Sequence, residues 1–295
     1  MHIKQSKEWG SYLKYLGWES LYLPQAIRIK KLGPYSLIKI QRPKRVTQKF
    51  LEKLDDIAKG KNALFIKIEP DNPVNIQILQ SFGYTKDKTP LSPTKTVLMD
   101  LTFSLDEIFK KFSKDTRQRV RKFTRPHRLT AQRLAGGAIL HKRITDETAL
   151  KDFYSLFKQT AKIRGFWVPP IKEIKAKSQA FKDNGFIIIA YEKDKTAATA
   201  YILIKEKTAY YEHAAHNPKI AGDSPYQVLW QVILECKKLK LEKLDLCGIY
   251  DERFKKQTGG WKNFTIFKNK WGGKEVEYCS PYIKYFNLLA RFFRL

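Results

Sequence analysis

The sequence is poor in cysteine and has no long apolar run. Its three cysteines form no C-x-x-C pair and have no histidine at ligand spacing, so a disulfide framework and a zinc site are both excluded as leading interpretations. The N-terminal segment MHIKQSKEWG has no apolar core of the kind that signal peptides contain. No stretch approaches the ~20 apolar residues of a membrane-spanning helix. These absences predict a cytoplasmic protein.

The familiar catalytic motifs are also absent. The chain contains no G-x-x-x-x-G-K-[ST] phosphate loop, no G-x-S-x-G elbow, no H-E-x-x-H and no G-x-G-x-x-G, and its glycine pairs are isolated. P-loop kinases, serine hydrolases and zincins are therefore excluded as leading classes.

Large apolar side chains and positive charge are abundant. Hydrophobic residues make up 43% of the 295 residues, which is enough for a folded core, and 57 Lys and Arg against 29 Asp and Glu give a formal net charge of +28. Such a charge attracts nucleic acid, a phosphorylated ligand or an anionic membrane surface. The lysines are dispersed along the chain, so a solvated basic surface explains the charge equally well.

Strand and helix patterns alternate along the chain. Residues Ala63–Ile68 read as a strand, and Ser104 with Glu107 forms a capping-box pattern before a helix. A second unit is expected to begin near Thr145 with a helix over Asp146–Ile163. The segments FIIIAYE, AATAYILIK and AYYEHAA then read as three strands. The helix SPYQVLWQVILECKKLK leads into a strand, KLDLCGI. This order predicts a mixed α/β (α+β) fold of two units.

Three further segments bear on function. The run SKDTRQRVRKFTR predicts a basic helix with Arg117 and Arg121 on one face, either solvated or in contact with phosphates. The segment NFTIFKNKWGGK reads as an apolar strand that is interrupted by Lys268 just before Trp271. The closing stretch PYIKYFNLLARFFRL reads as a helix that packs on the body or lies on a membrane interface.

Five of these motifs, in this order, resemble the FemABX peptidyltransferases, also called lipid II aminoacyltransferases. That family has a strand ending in L-D-L, a basic helix, a Y-x-x-G-A-like strand, a helix leading to Y-D-x-x-G-I, and F-K-x-x-[FW]-G-G. The segment EWGSYLKYLGW also resembles the family's opening W-x-x-[FY]. The counterparts in this chain are Leu98–Leu101, Lys114–Lys122, Tyr211–Ala215, Leu244–Ile249 and Phe267–Gly273.

The resemblance implies two acyl-CoA N-acyltransferase (GNAT)-like domains. The first is expected to span residues 1–143 and to be completed by a C-terminal return over 276–295, and the second to span 144–275. Ordinary GNAT acetyltransferases hold coenzyme A with an R/Q-x-x-G-x-G/A loop at a helix start. The equivalent junction here, NPKIAGDSPYQ, lacks that pattern.

The resemblance also implies an enzyme that transfers an amino acid from aminoacyl-tRNA to the stem-peptide amine of a peptidoglycan precursor, lipid II or UDP-MurNAc-peptide, in cell-wall biosynthesis. Aminoacyl-tRNA is the co-substrate, and no metal or bound cofactor is expected. By the motif match Lys268 stabilises developing charge, or holds the phosphate or ribose of the tRNA. Glu69 orients or deprotonates the attacking amine.

The remaining site residues follow from the same match. Tyr211 and His213 alternate along a strand, so both are expected to face the substrate. Lys14 is a candidate for a diphosphate or sugar contact. Phe267 and Trp271 are expected to line the reaction channel. Arg117, Arg121 and Lys122 are expected to contact RNA or phosphate. The sequence has Val168-Pro169-Pro170 where some relatives place an arginine for the diphosphate, so that contact must come from elsewhere.

Two alternatives remain open from sequence. One is an acyl-CoA-dependent N-acyltransferase that acts on a small amine or a polysaccharide precursor. The other is a non-catalytic protein of the same fold that binds RNA or a membrane surface. In each case a cytoplasmic protein with a peripheral contact at the inner face of the membrane is expected.

Overall fold

The computed structural model describes residues 1–124 and 139–287. In chain order its strands are β1 (Trp18–Tyr22), β2 (Ala26–Leu32), β3 (Tyr35–Gln41), β4 (Ala63–Glu69), β5 (Thr85–Lys86), β6 (Lys95–Asp100), β7 (Ile139–Arg143), β8 (Gly185–Glu192), β9 (Lys195–Lys205), β10 (Thr208–His216), β11 (Lys243–Gly248), β12 (Lys274–Glu277) and β13 (Tyr282–Tyr285). Its helices are α1 (Lys7–Tyr15), α2 (Gln48–Gly60), α3 (Ile76–Ser81), α4 (Leu105–Lys110), α5 (Lys114–Thr124), α6 (Glu147–Arg164), α7 (Ile171–Phe181), α8 (Ser224–Lys238), α9 (Lys255–Thr258) and α10 (Lys262–Asn269).

The first sheet has the strand order β1-β2-β3-β4-β13-β5. Strands β3 and β4 are parallel, and the other neighbours are antiparallel. One face carries alternating isoleucines of β2, β3 and β4, and these pack against Phe50, Leu51 and Leu54 of α2. The predicted return of the chain to the first unit is confirmed, since β13 pairs with β4.

The second sheet has the strand order β12-β6-β11-β10-β9-β8-β7. Strands β7 to β10 form an antiparallel meander, which confirms the three strands expected from FIIIAYE, AATAYILIK and AYYEHAA. Helix α8 then crosses over to β11, which runs parallel to β10. Its apolar residues Val228, Leu229, Val232 and Ile233 are fully buried against the sheet.

Local signals account for several helix starts. Ser104 and Glu107 form a complete capping box at α4. The Asp146 side chain accepts a hydrogen bond from Ala149 N–H at the start of α6, and Gly165 ends that helix in the left-handed conformation.

The chain divides into two compact units, but their boundary is not the expected one between residues 143 and 144. The first unit comprises Met1–Lys95, Tyr250–Lys262 and the chain from Glu277 onward; the second comprises Thr96–Ile249 and Asn263–Val276. The reason is that β6 pairs with β11 in the second sheet. The basic helix α5 therefore belongs to the second unit.

Two local predictions are wrong. The segment around Lys268 is helix α10 and not a strand, because Phe264, Phe267 and Trp271 recur at helical spacing. The stretch from Pro281 is not helical at its start, since Tyr282–Tyr285 is strand β13. The rest of that predicted helix, from residue 288, lies outside the described residues.

Candidate functional site

The centre of the second unit is the place where its two parallel strands separate. Strands β10 and β11 pair only through Thr208–Tyr210 and Lys243–Asp245, although β10 continues to His216 and β11 to Gly248. Each strand has an irregularity in its register directly after the paired segment. Bulges of this kind often lie beside active sites, and ligands bind at the carboxyl ends of parallel strands.

The end of β11 is shaped by a buried carboxylate. Asp245 accepts hydrogen bonds from the Thr96 hydroxyl and, at 2.7 Å, from the Cys247 N–H. The Cys247 backbone has a φ of +58°, a conformation that non-glycine residues rarely adopt. Asp245 therefore holds a tight turn at Cys247. The carbonyls of Cys247 and Gly248 are thereby presented to one side chain.

That side chain is Lys268 of α10. Its Nζ donates to the Gly248 carbonyl at 2.7 Å and lies 3.4 Å from the Cys247 carbonyl. Burial lowers the pKa of Lys268 from 10.5 to about 8, and the nearby Cys247 and Asp245 act in the opposite direction. An ammonium has three donors, so one remains available to a ligand after these two contacts.

The aromatic residues predicted to line a channel support α10 from beneath. Trp271 is fully buried, with its ring centroid 4.9 Å from that of Phe112 and 6.0 Å from that of Tyr226. Phe267 is half-buried and packs edge-on against Tyr226 at 5.2 Å. Gly272 follows with a φ of +71°, and a Cβ there would lie 2.5 Å from the Lys111 carbonyl oxygen. The W-G-G segment therefore closes the turn that orients Lys268.

Tyr211 and His213 lie on opposite faces of the second sheet, so their predicted common face is wrong. Tyr211 pairs with Ile202 and is buried in the core below α8. His213 pairs with Tyr201, and its ring lies 5.0 Å from that of Phe157 on the α6 side. The bulge between Tyr211 and His213 breaks the alternation on which the prediction depended. Burial also raises the pKa of Tyr211.

Helix α5 confirms the predicted basic helix, but much of its charge is already engaged. Arg117 donates to the Lys110 carbonyl at 3.1 Å and to that of Phe112. Lys122 pairs with Asp223 at 2.7 Å, and Arg119 pairs with the same carboxylate. Arg121 is exposed, and its guanidinium lies 5.6 Å from the Phe109 ring centroid.

Arg117 and Arg121 share one face, as predicted. They line an open groove of about 470 Å³ together with residues of α4. The expected contact of Arg117, Arg121 and Lys122 with RNA or phosphate stays a prediction.

Glu69 and Lys14 belong to the first unit. The Glu69 carboxylate is buried and accepts hydrogen bonds from Leu91 N–H, from Ser92 N–H at 3.1 Å and from the Ser92 hydroxyl at 2.6 Å. These contacts fasten the loop after β5 to β4. Lys14 is exposed near the end of α1. The substrate roles of both residues stay predictions.

Residues 1–124 and 139–287 contain neither a metal-binding cluster nor a membrane-spanning helix. No group of three or more His, Cys, Asp or Glu side chains there is placed to hold a metal ion. None of the helices in those ranges combines the length and apolarity that crossing a membrane requires.

Comparison with known proteins places this arrangement in a class. A family model described as an acetyltransferase (GNAT) domain matches residues 110–256. Among solved structures, FemX matches with a TM-score of 0.79 at 16% identity, over 100% of this chain and 95% of FemX. The C-terminal domain of a putative lysylphosphatidylglycerol synthetase from Agrobacterium fabrum matches with a TM-score of 0.63 at 11% identity, over 99% and 91% of the two chains.

A third structure, L-PGS from Bacillus licheniformis, matches with a TM-score of 0.58 at 13% identity, over 96% and 88% of the two chains. No curated protein matches the sequence. The chain thus has the GNAT fold in a two-domain form similar to that of FemX, which confirms the fold and the resemblance expected from the motif order. The fold is that of acyltransferases.

Proposed function

We propose that the protein is an aminoacyl-tRNA-dependent aminoacyltransferase that acts on the stem-peptide amine of a peptidoglycan precursor. The observation that carries the proposal is the Lys268 ammonium, which two carbonyls hold where β10 and β11 separate. The similarity to FemX supports the class of reaction.

In this reaction an amine attacks the ester carbonyl of the aminoacyl-tRNA, and negative charge develops on the carbonyl oxygen. The free donor of Lys268 is suited to that oxygen, because a fixed cation in a site of low polarity stabilises the charge without reorganisation. The Gly248 and Cys247 carbonyls keep the ammonium in place. The ribose hydroxyl leaves with a proton as the new amide forms.

An acyl-CoA-dependent reaction is the second candidate, and the start of α8 disfavours it. Helix N-termini attract phosphates, and this is the junction at which GNAT acetyltransferases hold coenzyme A. Here Asp223 precedes α8 and pairs with Arg119 and Lys122. These two cations already share the Asp223 carboxylate, which would also repel a pyrophosphate.

A peripheral membrane contact is part of the proposal. Ile163, Phe166 and Trp167 at the end of α6 are 51%, 43% and 75% exposed, and Lys162 and Arg164 are their neighbours in sequence. Aromatic and basic residues together suit the interface of an anionic bilayer. The C-terminal aromatic stretch from residue 288 lies outside the described residues.

The donor is tested by transfer of radiolabel from a mixture of charged tRNAs to lipid II, and separately to its soluble nucleotide precursor. We expect labelled acceptor that disappears when the tRNA is digested beforehand, and no heat of coenzyme A binding in calorimetry. Transfer from labelled acetyl-CoA, with none from charged tRNA, would establish the second candidate instead.

A further inference from the structure

Two buried side chains support the turn at the end of β11. Asp245 is 5% exposed, and Thr96 of β6 is 2% exposed. The Thr96 hydroxyl lies within hydrogen-bond distance of the Asp245 carboxylate and, at 3.0 Å, of the Cys247 carbonyl. The Asp245 carboxylate also accepts from the Cys247 N–H at 2.7 Å. Both polar groups of the Cys247 backbone are therefore contacted by these two side chains.

The turn needs this support because its backbone is strained. Cys247 has a φ of +58°, and a residue other than glycine is held in that region only when its surroundings determine the conformation. The register of β11 against β6 shifts between Asp245 and Gly248, which pairs with Thr96. Loss of the Asp245 acceptor would remove a contact that offsets the strain, so the carbonyls of the turn would change direction.

The position of Lys268 depends on those carbonyls. Its Nζ donates to the Gly248 carbonyl at 2.7 Å and lies 3.4 Å from the Cys247 carbonyl. The centroid of the Phe264 ring is 5.0 Å from Nζ, a cation–π contact that determines the direction of the ammonium less closely than a hydrogen bond does. A change in the turn would therefore move the ammonium.

Asp245 also acts on Lys268 through its charge. Burial lowers the pKa of Lys268 to about 8, and Cys247 and Asp245 raise it against that effect. Titratable side chains on the other elements that pack on α10 face different residues of that helix and its end: Asp115 of α5 pairs with Lys270, and Tyr226 of α8 packs on Phe267. The charge of Asp245 favours the ammonium form of Lys268.

We propose that Asp245 is a positioning residue for Lys268, because it holds the turn whose two carbonyls orient the ammonium. Its negative charge also helps to keep the amine protonated. Asp245 does not touch the substrate; it acts through the carbonyls of Cys247 and Gly248. The inference deepens the proposed function and rests on it, since the ester oxygen is the atom that Lys268 would stabilise.

Two variants separate the position of the ammonium from its charge state. Asp245→Ala removes both the acceptor and the charge. Its transfer kcat should be about tenfold to a hundredfold lower, the scale for a small misplacement of a catalytic group. Its KM should change little, because Lys268 acts on charge that develops only in the transition state.

Asp245→Asn keeps an oxygen that can accept from the Cys247 N–H and removes only the charge. At about pH 6, where the amine is charged in both proteins, this variant should retain most of the wild-type kcat. Without the nearby anion the amine loses its proton more readily, so transfer by Asp245→Asn should decline at a lower pH than transfer by the wild type. A side chain that only stabilised the fold would not shift this pH profile.

Asp100→Asn is the matched control. Asp100 accepts from the N–H of Thr102, two residues later, at 2.9 Å, which is the same local contact that Asp245 makes to Cys247. It lies at the other end of the β6–β11 pair, opposite Lys243. Its kcat and its pH profile should match those of the wild type.

Labelling of Lys268 tests its placement without any transfer reaction. Brief acetylation with acetic anhydride at a series of pH values, followed by mass spectrometry, measures how much of the amine is neutral. Lys268 should begin to react at a lower pH in Asp245→Asn than in the wild type. The exposed Lys262 should react alike in both proteins.

A folded Asp245→Ala protein with the wild-type kcat would overturn the inference, and so would an unchanged pH dependence of Lys268 labelling in Asp245→Asn. If the wild type transfers nothing while the labelling shifts as expected, the placement of Lys268 by Asp245 is supported and the proposed function is overturned instead. If Asp245→Ala does not fold, Thr96→Val takes its place, because it removes the hydroxyl between Asp245 and the Cys247 carbonyl. It should lower kcat with little change in KM, and a wild-type kcat in this variant would overturn the inference equally.

Discussion

Replacement of Lys268 by methionine should stabilise the folded protein near neutral pH while it removes transfer activity. Burial lowers the pKa of Lys268 from 10.5 to about 8. Each pH unit corresponds to about 1.4 kcal/mol, so holding this ammonium charged in the fold costs up to roughly 3 kcal/mol. Methionine has a similar length and no charge, so the variant escapes that cost. The substitution also leaves the Gly248 and Cys247 carbonyls without their donor. This loss destabilises the fold by about 1 kcal/mol or more and so offsets part of the gain.

The pH dependence of stability separates the cost of the buried charge from the loss of its hydrogen bonds. Because the folded state has the lower pKa, the unfolded chain binds more protons between pH 8 and pH 10.5. The free energy of unfolding of the wild type should therefore rise with pH across that window, relative to Lys268→Met. Below pH 8 the difference should be constant.

Denaturant unfolding at a series of pH values from 7 to 10 measures this difference. Lys262→Met removes an exposed lysine from the same helix and controls for the loss of one charge. If the gap in unfolding free energy between wild type and Lys268→Met stays constant from pH 7 to 10, Lys268 does not have the lowered pKa on which the reasoning depends.

Two further predictions concern one residue in each unit, Gly272 in the second and Glu69 in the first. Gly272→Ala should lower the free energy of unfolding by about 1–3 kcal/mol because of the left-handed backbone alone, and by more because the added Cβ would meet Lys111. Thermal unfolding measures this loss. Gly260→Ala is the control and should be nearly neutral, since a Cβ there meets nothing within 4 Å. Glu69→Gln should lower stability by about 1–3 kcal/mol, because the Ser92 hydroxyl loses its acceptor. If Glu69 is only an anchor, transfer by this variant should persist at temperatures where it is folded; transfer abolished at unchanged stability would show a role in the chemistry.

Much of the fold could be predicted from local patterns. Two helix starts are set by capping side chains that lie within a few residues of the backbone groups they bind. These are Ser104 with Glu107, and Asp146. The order of the motifs also predicted two GNAT-like domains with a C-terminal return. The unit boundary depends instead on the pairing of β6 with β11, a contact between segments far apart in sequence. Such pairing leaves no local signal.

The site was less accessible to sequence reasoning. Lys268 was found through its motif, but its partners are backbone carbonyls that no motif shows. The prediction that Tyr211 and His213 share a face was wrong, because one bulge between them breaks the alternation of side chains along β10.

The most direct measurement is single-turnover transfer of labelled amino acid from charged tRNA to the peptidoglycan precursor, with wild type beside Lys268→Met. We predict transfer by the wild type and a rate about a hundredfold or more lower in the variant, the usual effect of removing an oxyanion donor. Circular dichroism confirms that both proteins are folded. A folded Lys268→Met protein that transfers label at the wild-type rate would contradict the central role assigned to Lys268.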